Sequence, residues 1–159
     1  MHQVKISEIL QWTDADLVGI LGPDIAPEAV VTDSRSVAEG DLFIALRGER
    51  FDGHDFVEAA FERGASAALV ERSWDGAGRS LSGPLLAVDS TLLALGAMAR
   101  AYRRRYDLPV VAVVGSAGKT TTKELIAAVL GQRYQVLKTV GSENNEIGVP
   151  RTLLQLSPN

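Results

Sequence analysis

Apolar and polar positions along this chain follow two spacings, and the switches between them mark out its elements. Over residues 91–106, Leu92, Leu95, Met98, Ala99, Tyr102 and Tyr106 recur every three or four positions, the period of a helix with one buried face. Arg103, Arg104 and Arg105 fall in its last turn, where cations complement the helix dipole and stay solvated. The basic run therefore needs no phosphate or nucleic-acid ligand. Residues 7–12 form a shorter apolar run behind Ser7, a capping residue type, and predict a helix ending before the turn-rich stretch 19–27. Residues 55–64 carry a full set of helix signals, with Asp55 at the cap, Glu58 three positions on and Gly64 at the left-handed exit. The runs 29–33, 41–46, 66–70 and 85–88 are short, apolar or β-branched, and bounded by polar residues or glycine, as strands are. Joined by a flexible connection at 76–83, these elements alternate as in a compact α/β domain over residues 1–106.

A second unit starts beyond Pro109, which ends helical geometry just before a new strand. Residues 110–114 are a continuous apolar run of the kind found in buried parallel strands, 120–130 have a helical period, and 134–138 resemble the next strand. The predicted fold class is α/β: a small N-terminal α/β domain followed, over residues 107–159, by the first β-α-β unit of a parallel-sheet domain. Two strands and one helix leave large apolar faces uncovered, so this second unit is expected to be part of something larger.

With 46% hydrophobic and 23% charged residues, the chain has the composition of an ordinary globular protein. No apolar run approaches the roughly 20 residues that span a bilayer, and the N-terminus lacks the basic-then-apolar pattern of a signal peptide. A cytoplasmic location without membrane contact is expected. There is no cysteine, which excludes disulfides, thiolate metal sites and thiol nucleophiles, and only His2 and His54 could supply imidazole. The net charge of -4 argues against a nucleic-acid partner. Residues 110–159 nevertheless hold five Lys or Arg against three Glu, which makes the second unit the better host for an anion.

That unit carries the chemistry. A strand running into Gly115, Ser116, Ala117 and Gly118, then a helix opened by Lys119, Thr120 and Thr121, aims free backbone N–H groups and a helix dipole at one spot. The glycines let the backbone approach phosphate oxygens, Lys119 can reach the outer phosphates, and the Thr120 hydroxyl can ligate magnesium. The longer phosphate-loop pattern would need glycine at position 113, where this chain has Val113. The shorter G-x-x-G-K-T loop is therefore the one present, and ATP with Mg2+ is the expected cofactor pair.

The string VVAVVGSAGKTTTKELIAAVL (110–130), followed by GSENNEIGVPRTLLQLSP (141–158), resembles the start of the ATP-binding domain of the Mur ligase family. Upstream, TDSRSVAEGDLFIALRGERFDGHDFVEAAFERGASAALV (32–70) resembles the family's small N-terminal domain, so the likeness covers nearly the whole chain. It implies that the first domain holds the uridine end of a UDP-N-acetylmuramoyl-peptide and the second activates the peptide end. The stretch Asn144, Asn145, Glu146, Ile147, Gly148 points to the branch that adds D-alanyl-D-alanine. Under this resemblance Ser34 and Arg35 hold the uracil or diphosphate, and Phe43, Gly48, Asp52, Gly53 and His54 match substrate-domain segments. Phe43 also suits a core position, His54 a loop bridge, and Asp33 a turn. Asn144 and Asn145 would lie near the γ-phosphate or the substrate, or form a polar turn before a helix opened by Pro150.

The family's reaction transfers a γ-phosphoryl group to a carboxylate, and an amine then displaces phosphate from the acyl phosphate. Position and charge dominate such a step, so no nucleophilic side chain is needed. Family members are several times longer, with the acidic metal ligand, the adenine pocket and the site of the incoming amine downstream of Asn159. The expectation is an enzyme, monomeric at full length, of which residues 1–159 alone do not turn over. Two other readings stay open. One is a different family ligase, adding diaminopimelate or lysine or resembling a folylpolyglutamate synthetase; the other is a non-catalytic UDP-sugar-binding module.

Overall fold

A computed structural model describes residues 1–20, 22, 25–49, 51–78, 82–141 and 145–158. Parts of the turn-rich stretch 19–27 and of the connection 76–83 lie outside these residues, as does Asn144. The elements run α1 (Ile6–Thr13), β1 (Asp16–Val18), β2 (Val30–Val31), β3 (Leu42–Ile44), α2 (Val57–Glu62), β4 (Ala67–Glu71), β5 (Leu85–Val88), α3 (Thr91–Arg103), α4 (Lys119–Leu130) and α5 (Gly148–Leu153). Strands 2 to 5 pair in parallel, and β1 closes one edge antiparallel to β5, giving the order β1-β5-β4-β3-β2. The predicted α/β class is the class observed.

Strict alternation along the strands builds two cores. Leu42, Ile44, Ala67, Leu69, Leu86 and Val88 face one side of the sheet, where they meet Ile6 and Ile9 of α1 and Leu95, Met98 and Tyr102 of α3. Phe43, Ala45, Ala68, Val70, Leu85 and Ala87 face the other side, against Val57, Ala60 and Phe61 of α2. Burial on both faces is why these strands read as continuous apolar runs. Residues 147–156 reach this core too: Leu154 is buried in it, Ile147, Leu153 and Leu156 pack against it, and α5 lies on α3. The Tyr102 hydroxyl donates to the Leu156 carbonyl at 2.5 Å and accepts from the His2 amide at 2.8 Å.

Several element starts differ from the sequence reading. Helix α1 begins before Ser7, and Glu8 Oε2 accepts the Lys5 amide at 3.1 Å. Asp55 caps nothing described; Asp52 instead accepts the His54 amide at 3.0 Å and opens a 3-10 turn, Gly53–Phe56, which leads into α2. Gly64 does take the left-handed exit, at φ +99. Strand β1 falls where no strand was expected. Pro150 sits inside the first turn of α5 rather than at its start. The largest difference lies beyond Pro109. Helix α4 forms, but residues 110–114 and 134–138 join no ladder among the described residues. A parallel strand needs neighbours to satisfy its backbone and bury its side chains, whereas here Val110, Val111, Val114, Tyr134 and Leu137 are exposed.

Of the basic run, Arg103 donates from both terminal nitrogens to the carbonyls of Tyr106 and Leu108, at 2.6 and 2.7 Å, and so ties down the segment that leaves α3. Arg105 pairs with Glu8 and lies 4.8 Å over the Trp12 ring. Both arginines thus find partners within the chain while Arg105 stays exposed.

Candidate functional site

The carboxyl ends of the parallel strands carry the first group of candidate residues, the end of an α/β sheet at which ligands bind. After β2 the chain enters a single 3-10 turn, Ser34–Ser36, capped by Asp33, whose Oδ1 accepts the Arg35 amide at 3.0 Å. The Asp33 carboxylate also takes two parallel bonds from the Arg35 guanidinium, Nε at 3.0 Å and Nη2 at 2.7 Å. These bonds to Arg35 hold the Asp33 carboxyl down at about 2, with a weaker pull from the Arg151 cation, and raise the guanidinium in turn. The fork engages one edge of the guanidinium. Its other edge stays outward, with the side chain 85% exposed, so Asp33 orients Arg35 without consuming all five of its donors. Ser34 is half-buried beside it.

After β3 the chain turns back at Gly48, whose amide donates to the Phe51 carbonyl at 2.9 Å, and re-enters at Asp52 and Gly53. Gly53 is confined by space: a Cβ there would stand 2.7 Å from both the amide nitrogen and the carbonyl oxygen of Leu46. Asp52 is the hub. It accepts the His54 amide, the His54 ring at Nδ1 (2.5 Å) and Arg47 Nε (2.9 Å), while Arg47 Nη1 reaches Glu71 at 3.2 Å. Burial pushes the Asp52 carboxyl up, but these hydrogen bonds outweigh it and bring it to about 2. The His54 Nε2 accepts the Glu71 amide at 2.9 Å, which assigns the ring proton to Nδ1 and its bond to Asp52. His54 is 2% exposed and Phe43 1%. The structure thus leaves Asp52, Gly48 and Gly53 at the surface or close to it, and turns Phe43 and His54 inward, where they fix the β3–β4 end of the sheet. Arg47 and Glu71 were missed in the sequence. Their signal was an opposite-charge pair flanking a tight glycine turn, visible only once Glu71 is placed on the neighbouring strand.

The second group surrounds the start of α4. Gly118 caps the helix in the left-handed region, φ +76, where a Cβ would meet nothing within 4 Å, so glycine is required there by conformation rather than by space. Ser116, Ala117, Thr120 and Thr121 are exposed. The Lys119 Nζ folds back onto the Gly115 carbonyl at 2.5 Å. A charged phosphate oxygen would replace that neutral acceptor with a stronger partner. Asn145 Oδ1 accepts the amides of Gly148 (2.7 Å) and Ile147 (3.2 Å), which ties it to the turn that leads into α5. Asn144 lies outside the described residues. No described hydrogen bond or ion pair joins the two groups to each other. A concavity of about 410 Å³, lined by Met1, His2, Pro27 and Gln155 among others, contains none of these residues.

A two-faced α/β sheet with the candidate loops at its carboxyl edge, continued by a left-handed glycine that opens a Lys-Thr helix, has the architecture of α/β proteins whose helix starts can hold phosphate. The Mur ligase family, catalytic domain, matches residues 28–140, and the chain belongs to that family. It is 50% identical over 158 residues to a UDP-N-acetylmuramoyl-tripeptide--D-alanyl-D-alanine ligase of Synechocystis sp., covering 98% of this chain and 34% of that protein. Crystal structure I of MurF from Acinetobacter baumannii superposes with a TM-score of 0.86 at 38% identity, over 95% of this chain and 32% of that one. MurF ligase from Thermotoga maritima, solved with ADP, gives 0.69 at 40% identity, over 79% and 28%. The chain therefore spans about a third of the length of these relatives. No described helix is long and apolar enough to cross a membrane.

Proposed function

We propose that the chain is the substrate-holding and phosphate-binding part of an ATP-dependent amide ligase that joins D-alanyl-D-alanine to UDP-N-acetylmuramoyl-tripeptide. The observation that carries this is the left-handed Gly118 opening α4 directly onto Lys119 and Thr120, in a chain whose similar relatives bear that name. The relatives' names favour this substrate over a diaminopimelate- or lysine-adding ligase. In this reading residues 1–106 hold the uridine end, with Ser34, Arg35, Gly48, Asp52 and Gly53 at the sheet's carboxyl edge. Residues from 107 onward begin the ATP-binding unit. Phe43 and His54 serve by shaping that edge from inside.

For the phosphates, residues 115–121 would supply amide N–H groups, and Lys119 a mobile cation. Thr120 would give its hydroxyl to Mg2+; that cation is commonly held by few protein ligands, together with substrate phosphates and water. Magnesium bound there would neutralise charge on the transferring phosphoryl group. The reaction moves the γ-phosphoryl group to the peptide carboxylate with ADP leaving. The amine of D-alanyl-D-alanine then attacks the acyl carbon, and phosphate leaves as the amide forms. This chain's own residues orient and neutralise in that sequence; none needs to become a nucleophile. The test uses the full-length ligase, with phosphate release followed in the presence of ATP, UDP-N-acetylmuramoyl-tripeptide and D-alanyl-D-alanine. Release should require all three, and Lys119→Ala should weaken ATP binding by at least about tenfold, near 1.4 kcal/mol. An ATP affinity within about threefold of the parent would remove Lys119 from the site.

A further inference from the structure

Four positions beyond Lys119, on the same face of α4, Lys123 does something its neighbour does not. Its ammonium crosses from the helix to the segment that returns after it, and donates to the Thr139 carbonyl at 2.6 Å, the Gly141 carbonyl at 2.7 Å and, more loosely, the Thr139 hydroxyl at 3.4 Å. Three donors meet three oxygens, and the side chain is only 18% exposed, which is unusual for a lysine. Beside it, Glu124 pairs with Lys138 and lies 3.5 Å from Lys123. Helix α4 and residues 138–141 are thus joined by charged and polar contacts, while apolar residues on both, Leu125, Val129 and Val140, stay exposed. Holding Gly141 has a reach. Four residues on comes Asn145, which the chain can carry no farther than about 14 Å from Gly141 and whose side chain accepts the Gly148 amide at the start of α5.

We propose that Lys123 is a positioning residue for the phosphate site: it locks the turn at Thr139 and Gly141 to the helix that bears Lys119 and Thr120, and so limits where Asn145 stands relative to the phosphates. This rests on the function proposed above. Lysine suits the task because a compact ammonium can bond several carbonyls at once without a fixed plane. Removing it leaves two carbonyls to water and the turn free to drift. Drift of about 1 Å in a phosphoryl-transfer site is enough to cost up to about a hundredfold in rate.

The test compares Lys123→Met and Lys123→Arg in the full-length ligase. Lys123→Met should lower kcat by about tenfold or more while KM for UDP-N-acetylmuramoyl-tripeptide stays within about threefold. Lys123→Arg, which keeps the charge and several N–H donors though in a fixed plane, should recover part of the loss. Faster hydrogen exchange at the Ile147 and Gly148 amides of Lys123→Met gives a readout independent of turnover. A kcat within about twofold of the parent, or an arginine variant no better than methionine, would overturn the positioning role. So would unchanged exchange at those two amides. Lys119→Ala is run beside them: retained ATP affinity there would overturn the phosphate-site reading itself, whereas a dead Lys119→Ala with an active Lys123→Met would overturn only the role of Lys123.

Discussion

Arg35 and Asp33 show how a guanidinium can be held in an ion pair and still keep one donor edge outward. As a surface pair, 85% and 44% exposed, they contribute little stability; what the pair does is hold a guanidinium with one edge free. If that edge meets a diphosphate, Arg35→Lys should weaken binding of UDP by roughly tenfold, because the charge survives and the fork does not. An NMR titration with UDP reads this directly, and shifts confined to residues 115–121 with none near 33–54 would sink the assignment. Asp52 differs in being wired inward, to Arg47 and His54. Its carboxyl stands at about 2 when folded, against about 3.9 for an unfolded aspartate. The unfolded chain therefore binds more protons between about pH 4 and pH 2. The stability contributed by Asp52 is complete above about pH 4 and is lost as pH falls through about 2. The urea midpoint should fall across that window, and Asp52→Asn should flatten the fall. Asp33 sits in the same window but is solvent-screened, so a variant slope equal to the parent's would show that the Asp52 hub is not what holds the β3–β4 end together.

At the level of elements, the sheet strands were legible because a residue buried on either face of a parallel sheet must be apolar: 41–46 and 85–88 contain β3 and β5, and 66–70 covers β4 except for Glu71. Strand β1 was not legible, since three residues on an antiparallel edge, two of them exposed, carry no period. The start of α2 was misread for a related reason. Asp55 and Asp52 offer the same side chain three positions apart, and the choice between them is made by His54, whose ring needs the Asp52 carboxylate as well. The phosphate loop could be read in order because its chemistry is local, whereas Lys123 pairs with carbonyls sixteen and eighteen positions away. Helix α5 is the element whose placement depends most on a distant partner. It is fixed by Asn145 at one end and by the Tyr102 and Tyr106 hydroxyls near Leu156 at the other. Tyr102 is fully buried, and burial, with the bond to Tyr106, raises its hydroxyl to about 12, so it stays a donor across the working range. Tyr102→Phe keeps the ring and removes the hydroxyl, leaving the His2 amide without its acceptor and the Leu156 carbonyl without this donor. The expected loss is about 1–3 kcal/mol by urea denaturation. A loss under about 0.5 kcal/mol, the range of ordinary surface changes, would mean that α5 is held by its apolar contacts alone.

Across the whole molecule, burial is uneven, and the unevenness follows the sheet rather than the sequence. Leu42, Ile44, Leu69 and Leu86 are 0% exposed, whereas Val114 is 92% and Val129 72% exposed. Amides of β3, β4 and β5 can open only with the core, so their exchange should report the global unfolding free energy. Residues 110–116 and 136–138 join no ladder among the described residues, and their amides should exchange with opening energies near zero. Protection should then return where α5 lies on α3, although it is farther along the chain than either unprotected stretch. A gradient falling steadily from residue 106 to the end would contradict this, because it would mean that the chain beyond Pro109 frays as one piece. Equal protection throughout would contradict it as well, unless copies associate through their exposed apolar faces. Repeating the measurement at several dilutions separates that case, since protection borrowed from a neighbouring copy falls with concentration while protection from the sheet does not. In a version of the protein carrying the additional length of its relatives, residues 110–114 should become slow to exchange. Their side chains already have the composition of a buried parallel strand, and what they lack in the structure is neighbours on either side.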